Sequence, residues 1–307
     1  MRKAFVRKLT QLVDKNKDIY LLTGDLGFSV FDEFKEIFPD NYLNVGLSEA
    51  NMIGMAAGLA LAGKQVFVYS IIPFVTLRCL EQIRNDLCYQ RLPVKIIGTG
   101  EGLSYGTAGT THHALEDIAI MSALPEMTVI APGDPIEVEC TIEESLELKG
   151  PCYIRLGKSG EPILHKKGLS FKIGKAIVLK NGKNITLIST GNMLETSLKV
   201  FDILKKEKIN CKVISMHTVK PIDRETIVGS ANDTNMIVSI EEHSKIGGLG
   251  SHISDVITEE GLKFRFLKLA LPDAFIHTVG SQSYLRKVYG LTPDKIARKI
   301  LDFCRRE

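Results

Sequence analysis

Three stretches of the chain hold side chains able to do chemistry. The first, residues 45–52 (Val-Gly-Leu-Ser-Glu-Ala-Asn-Met), sets Glu49 at the first turn of an apolar, glycine-rich helix. A carboxylate there is either a cap-type partner of the helix dipole or an acid held in a poorly solvated pocket. The second, residues 104–117, is rich in glycine and hydroxyls and carries adjacent histidines, His112 and His113, before a helix. Glycine lets backbone approach a ligand closely, and an imidazole can move a proton near neutral pH, so the loop reads as a substrate-facing His or as a structured helix start. Neighbouring histidines do not easily face one metal, and neither His-x-x-x-His nor Glu-x-x-His spacing accompanies them, so no metal site is expected. The third, residues 241–251, holds Gly247, Gly248 and Gly250 but lacks Gly-x-Gly-x-x-Gly directly after a strand and lacks Gly-Lys-Ser/Thr. It is a weak mononucleotide cradle.

The elements that must position these groups alternate between apolar strand-like runs and amphipathic helices, the βαβ pattern. Strands are expected at 19–23, 65–70, 94–98 and 127–131, and helices at 49–62, 79–89 and 135–148. The helix at 49–62 is built largely of small residues, so it can approach a neighbour closely. A charged, glycine-rich stretch at 156–170 reads as a linker. Beyond it, strands are expected at 184–189, 212–216 and 236–241, and helices at 194–207, 251–259 and 293–305. The fold class is therefore α/β with two domains, residues 1–160 and 171–307.

Composition narrows the function. In 307 residues, Lys+Arg 39 against Asp+Glu 36 leaves a formal charge of +3 with no basic run, which argues against nucleic acid. Apolar windows stop well short of the about 20 residues a membrane span needs, and no apolar signal region opens the chain. A cytoplasmic protein is expected. The six cysteines lack Cys-x-x-Cys spacing and read as reduced, buried thiols.

Residues 24–29, 45–52, 109–117, 124–134, 154–155 and 241–251 together resemble the C-terminal half of transketolase, in the family's order and spacing and over essentially the whole chain. The resemblance implies a pyrimidine-binding domain of the thiamine-diphosphate fold, a parallel sheet with helices on both faces, followed by the transketolase C-terminal domain. It implies ketol transfer between a ketose donor, free or phosphorylated, and an aldose acceptor. The same layout occurs in deoxyxylulose phosphate synthase and in the beta chains of 2-oxo-acid dehydrogenases, which are the rival enzyme readings. A non-catalytic scaffold or regulatory subunit is the rival of another class.

By this resemblance Glu49 stands at the place of the glutamate that shares a proton with the cofactor's pyrimidine, which overturns the cap reading. Phe74 stands where an aromatic residue meets the pyrimidine, with Tyr69 the other candidate. Asp25 matches an aspartate near the thiazolium edge. Ser29 and Arg155 match groups that contact the substrate phosphate end, and His112 matches the histidine on the donor sugar's hydroxyls. An Asp and a His found in many relatives fall on Ala108 and Gly100, which puts ordinary pentose phosphates in doubt. The family's Gly-Asp-Gly motif and its following Asn, which hold magnesium and the diphosphate, do not occur here. The resemblance therefore implies a separate N-terminal subunit carrying Mg2+ and the diphosphate, joined in an alpha2beta2 assembly.

Overall fold

The computed structural model describes residues 1–305, so the expected domain 171–307 ends outside the described residues. Its strands are β1 (Ile19–Thr23), β2 (Tyr42–Asn44), β3 (Gln65–Ile71), β4 (Val94–Thr99), β5 (Thr128–Ile130), β6 (Cys152–Leu156), β7 (Ile177–Lys180), β8 (Ile185–Ser189), β9 (Cys211–Ser215), β10 (Thr218–Lys220), β11 (Met236–Ser244) and β12 (Arg265–Leu271). They form one sheet ordered β10-β5-β6-β4-β3-β1-β2 and another ordered β12-β11-β8-β9-β7. Pairing is parallel except where the edge strands β10 and β7 run antiparallel to β5 and β9. The two-domain α/β architecture is as expected. Strand β10 follows the 156–170 stretch in sequence, so the second half of the chain lends the first sheet an edge strand.

The first sheet is covered on both faces, which is why β4 and β6 are buried along their whole length and read as nearly continuous apolar runs. Leu22, Val68 and Ile96 face Ile53 and the small residues Ala56, Ala57 and Ala60 of helix Glu49–Leu61. Leu21, Phe67, Tyr69 and Ile97 face Phe5 and Leu9 of helix Arg2–Lys15. Successive strand residues alternate between faces. Ser70 therefore points toward helix Glu49–Leu61 and Tyr69 away from it.

Three expectations are revised. The segment 79–89 is helix Leu80–Gln82 followed by a wider π-helical turn, Ile83–Cys88. The strand expected to end at 241 runs on through buried Glu242 and His243 to Ser244. The next helix starts at Leu249, because buried Glu241 accepts from the backbone N–H of Leu249 (2.7 Å) and Gly250 (2.8 Å). The linker stretch is fastened to the first sheet's helices, with Asp134 Oδ2 accepting from the backbone N–H of Leu164 (2.7 Å) and His165 (2.9 Å).

Candidate functional site

The chain leaves β1 for β2 on one side and takes its place again at β3 on the other, so β1 and β3 flank a reversal of strand order. In open α/β sheets the crevice outside the carboxyl ends of such strands is the ligand site. Gly24 follows β1 there. A Cβ on Gly24 would lie 3.1 Å from Glu49 Cγ and 3.3 Å from its Oε1, so this glycine makes room for the carboxylate against the strand end. Glu49 is 1% exposed although it opens its helix. Its oxygens leave the helix amides alone: Ser70 Oγ donates to Oε1 (3.0 Å) and Arg78 Nη1 to Oε2 (2.5 Å). This is a pocketed acid.

Phe74 sits in the single turn Ile72–Val75 that follows β3 and is half-buried. Its ring stands edge-on to His112 at 5.1 Å, and the Arg78 guanidinium lies 4.5 Å from its centre. Arg78 therefore lies between Glu49 and Phe74, and its side chain is 47% exposed. Tyr69 is buried on the opposite face, stacked on Phe5 and edge-on to Phe31. The strand's twofold alternation keeps it from the crevice. Cys79 lies beside Glu49, but burial pushes its thiol up to about 12, which removes it as a nucleophile.

Asp25 and Ser29 occupy the loop after β1 with φ of 55° and 58°, left-handed conformations that cost a non-glycine residue about 1 kcal/mol or more each. Asp25 Oδ1 accepts from Asn44 Nδ2 (2.9 Å), and its backbone N–H donates to Asn44 Oδ1 (3.0 Å). That exchange ties the loop after β1 to the end of β2. Ser29 is exposed and donates to the Phe28 carbonyl (2.6 Å), further out along the loop. His112 is half-buried and lies in a short 3-10 turn, Thr110–His112. Its Nδ1 is 3.0 Å from Thr111 Oγ1, leaving Nε2 free of that contact. His113 is buried, and burial lowers its pKa, so it stays neutral scaffolding.

Arg155 is not at the crevice, and its expected phosphate contact is corrected here. It is 1% exposed and inside the domain interface. Its Nε donates to Asp117 Oδ2 (2.7 Å), Nη1 to Glu101 Oε2 (3.2 Å), and Nη2 to the carbonyls of Ala114 (2.8 Å) and Glu242 (3.1 Å). Burial opposes its charge, but Asp117 and Glu101 more than offset this and raise its pKa. Buried, and with its fork turned to these groups, Arg155 does not face the crevice.

Gly24, Glu49, Arg78, Phe74 and His112 thus form a chain of contacts, whereas Asp25 is held by Asn44 and Tyr69 and Arg155 lie elsewhere. Ser70 and Arg78 went unnoticed in the sequence. Arg78 stands four residues after Phe74, a helical spacing that could have flagged it. The two departures also gain a cause. Gly100 has φ 94°, and a Cβ there would meet the Tyr105 ring at 2.2 Å, so no histidine fits; Ala108 is exposed. The glycine turn at 247–250 is no phosphate cradle, because Glu241 already takes its amides. Burial pushes that carboxyl up to about 7.

Comparison with known proteins shows the family. Residues 1–161 match the family described as transketolase, pyrimidine binding domain, and residues 174–296 match transketolase, C-terminal domain. A putative transketolase C-terminal section from Methanocaldococcus jannaschii is 38% identical, with 100% of this chain and 97% of that protein covered. One of the subunits of apulose-4-phosphate transketolase from Phocaeicola vulgatus is 32% identical over 99% of this chain and 97% of its own length. A solved structure described as a split gene transketolase, inactive beta4 tetramer, superposes with a TM-score of 0.91 at 37% identity, covering 98% of this chain and 97% of that one. The chain belongs to the transketolase family, the thiamine-diphosphate-dependent transferases, and corresponds to its C-terminal section.

Proposed function

We propose that this chain supplies the pyrimidine-binding half of a ketol-transferring site that a second, diphosphate-binding polypeptide completes. The observation that carries this reading is the buried Glu49 carboxylate, given room by Gly24, held by Ser70 and Arg78, and joined through Arg78 to the Phe74 ring. An acid shielded from water and a flat apolar ring are what a protonatable aminopyrimidine requires, so these residues fit thiamine diphosphate. When bound, the cofactor would supply the nucleophilic carbon for transfer of a ketol unit.

The chain's own groups then divide the work. Glu49 holds a proton at Oε2 and shares it with a ring nitrogen, which requires Arg78 to leave that oxygen. Its half-exposed side chain has solvent to swing into. Phe74 would cover the ring and exclude water, and Asp25 would stand on the thiazolium side. His112 Nε2 orients a sugar hydroxyl or moves a proton near the reacting carbon. Ser29 remains as a contact for an anionic end. Loss of polar groups at exposed Ala108 and buried Gly100 favours a sugar other than the common pentose phosphates, since a polar contact that a bound sugar covers carries much of a site's discrimination. A relative named for apulose 4-phosphate is consistent with that. The relatives that the chain spans almost end to end are a C-terminal section, a subunit and a split-gene chain, which supports assigning Mg2+ and the diphosphate to a separate N-terminal subunit in an alpha2beta2 assembly.

Calorimetric titration with thiamine diphosphate and Mg2+ tests the division. The isolated chain should give no saturable binding, and the chain with its partner should bind stoichiometrically. Saturable binding by the chain alone would refute it. Within the complex, Phe74→Ala should weaken cofactor binding about tenfold through the lost ring contact, whereas Tyr69→Phe should leave it unchanged. Equal effects of the two would contradict the assignment of Phe74.

A further inference from the structure

The second sheet has a strand-order reversal of its own. From β8 the chain adds β9 on one side, and β11 and β12 lie on the other. The crevice outside the carboxyl ends of β8 and β11 is where such a sheet would take a ligand. Here it is filled by the chain itself, with residues 101–115, the loop that carries His112.

The seat is specific. After β8, the backbone N–H of Asn192 donates to Glu101 Oε1 (3.0 Å), and a Cβ on Gly191, at φ 58°, would lie 2.2 Å from Glu101 Oε2. From β11, buried Glu242 accepts from the backbone N–H of Leu103 (3.1 Å), and a Cβ on Gly102 would lie 2.6 Å from Glu242 Cγ. Arg286 pairs with Glu242 and donates to Asn192 Oδ1 (2.6 Å), locking the two sides of the crevice together. Further along the loop, Thr110 Oγ1 donates to the Ile276 carbonyl (2.7 Å), two residues before His112. Burial pushes the Glu101 carboxyl up to about 8.

We propose that the second domain is the positioning device for His112. Its ligand crevice binds the loop as a built-in ligand, and Glu242 and Arg286 are the positioning residues that hold the imidazole beside Phe74. This rests on the reading of His112 as a substrate contact. Neither Glu242 nor Arg286 touches the crevice at Glu49, so a mere domain-gluing role would move stability and leave the donor kinetics alone.

The test uses Arg286→Met in the reconstituted complex, with Glu242→Gln, which keeps the side chain's shape, as the second variant should the first not fold. A displaced His112 should lower kcat/KM for the ketose donor about 10- to 100-fold, with thiamine diphosphate affinity unchanged, and Arg286→Lys should recover part of the loss. Hydrogen exchange should rise across residues 102–115 while β1, β3 and β4 stay protected. Unchanged donor kinetics in folded variants, or a kinetic loss with the loop still protected, would overturn the proposal. If the wild-type complex shows no ketol transfer, the functional reading has failed, and exchange alone decides: a loop still protected in Arg286→Met overturns the clamp.

Discussion

Glu49→Gln should cost the reconstituted complex on the order of 1,000-fold or more in turnover, the range in which positioned acid–base groups contribute. The amide keeps the shape and still accepts from Ser70 Oγ, so folding and the Phe74 contact should persist. What is lost, on the proposed reading, is a carboxyl oxygen that could share a proton with the pyrimidine once Arg78 leaves Oε2. Steady-state turnover at saturating cofactor, with circular dichroism to establish the fold, checks this. An unchanged rate would favour a scaffold or regulatory role, the reading in which the fold is kept and the chemistry is absent.

Arg155→Met should destabilise the chain by about 3–5 kcal/mol, the usual consequence of stranding buried charges by removing their partner. Asp117 is the principal counter-ion, facing Arg155 at both Nε (2.7 Å) and Nη2 (3.3 Å) and bonded also by Tyr153 Oη (2.7 Å). Glu101, whose carboxyl burial pushes up to about 8, contributes less. The urea midpoint of the isolated chain reports the change. A variant of full stability with a raised KM for a phosphorylated substrate would instead return Arg155 to the sugar channel.

These outcomes follow the line between what was legible in the sequence and what was not. Strand β1, the helix at Glu49 and the strands β3 and β4 were legible because each is a local pattern: apolar runs buried on both faces, or small residues that pack closely. Pocketing of Glu49 followed from the family resemblance, since residue type alone also allowed a cap. The choice between Phe74 and Tyr69 was not legible. Both faces of β3 are buried, so no polar alternation tells which side Tyr69 takes.

Arg155 failed for a different reason. Its partners lie 38, 54 and 87 residues away, at Asp117, Glu101 and Glu242, and no local spacing connects them. The same holds for the end of β11, where Glu242 and His243 look like turn residues until the domain interface that buries them is assembled. Groups that join the two domains were thus among those the sequence hid.

Following carbon through the reconstituted complex separates ketol transfer from its rivals. An unlabelled ketose donor and a carbon-13-labelled aldose acceptor, analysed by mass spectrometry, should give the acceptor lengthened by two unlabelled carbons, without release of carbon dioxide and only when the partner chain is present. Carbon dioxide released from a 2-oxo acid, or transfer by the isolated chain, would contradict it.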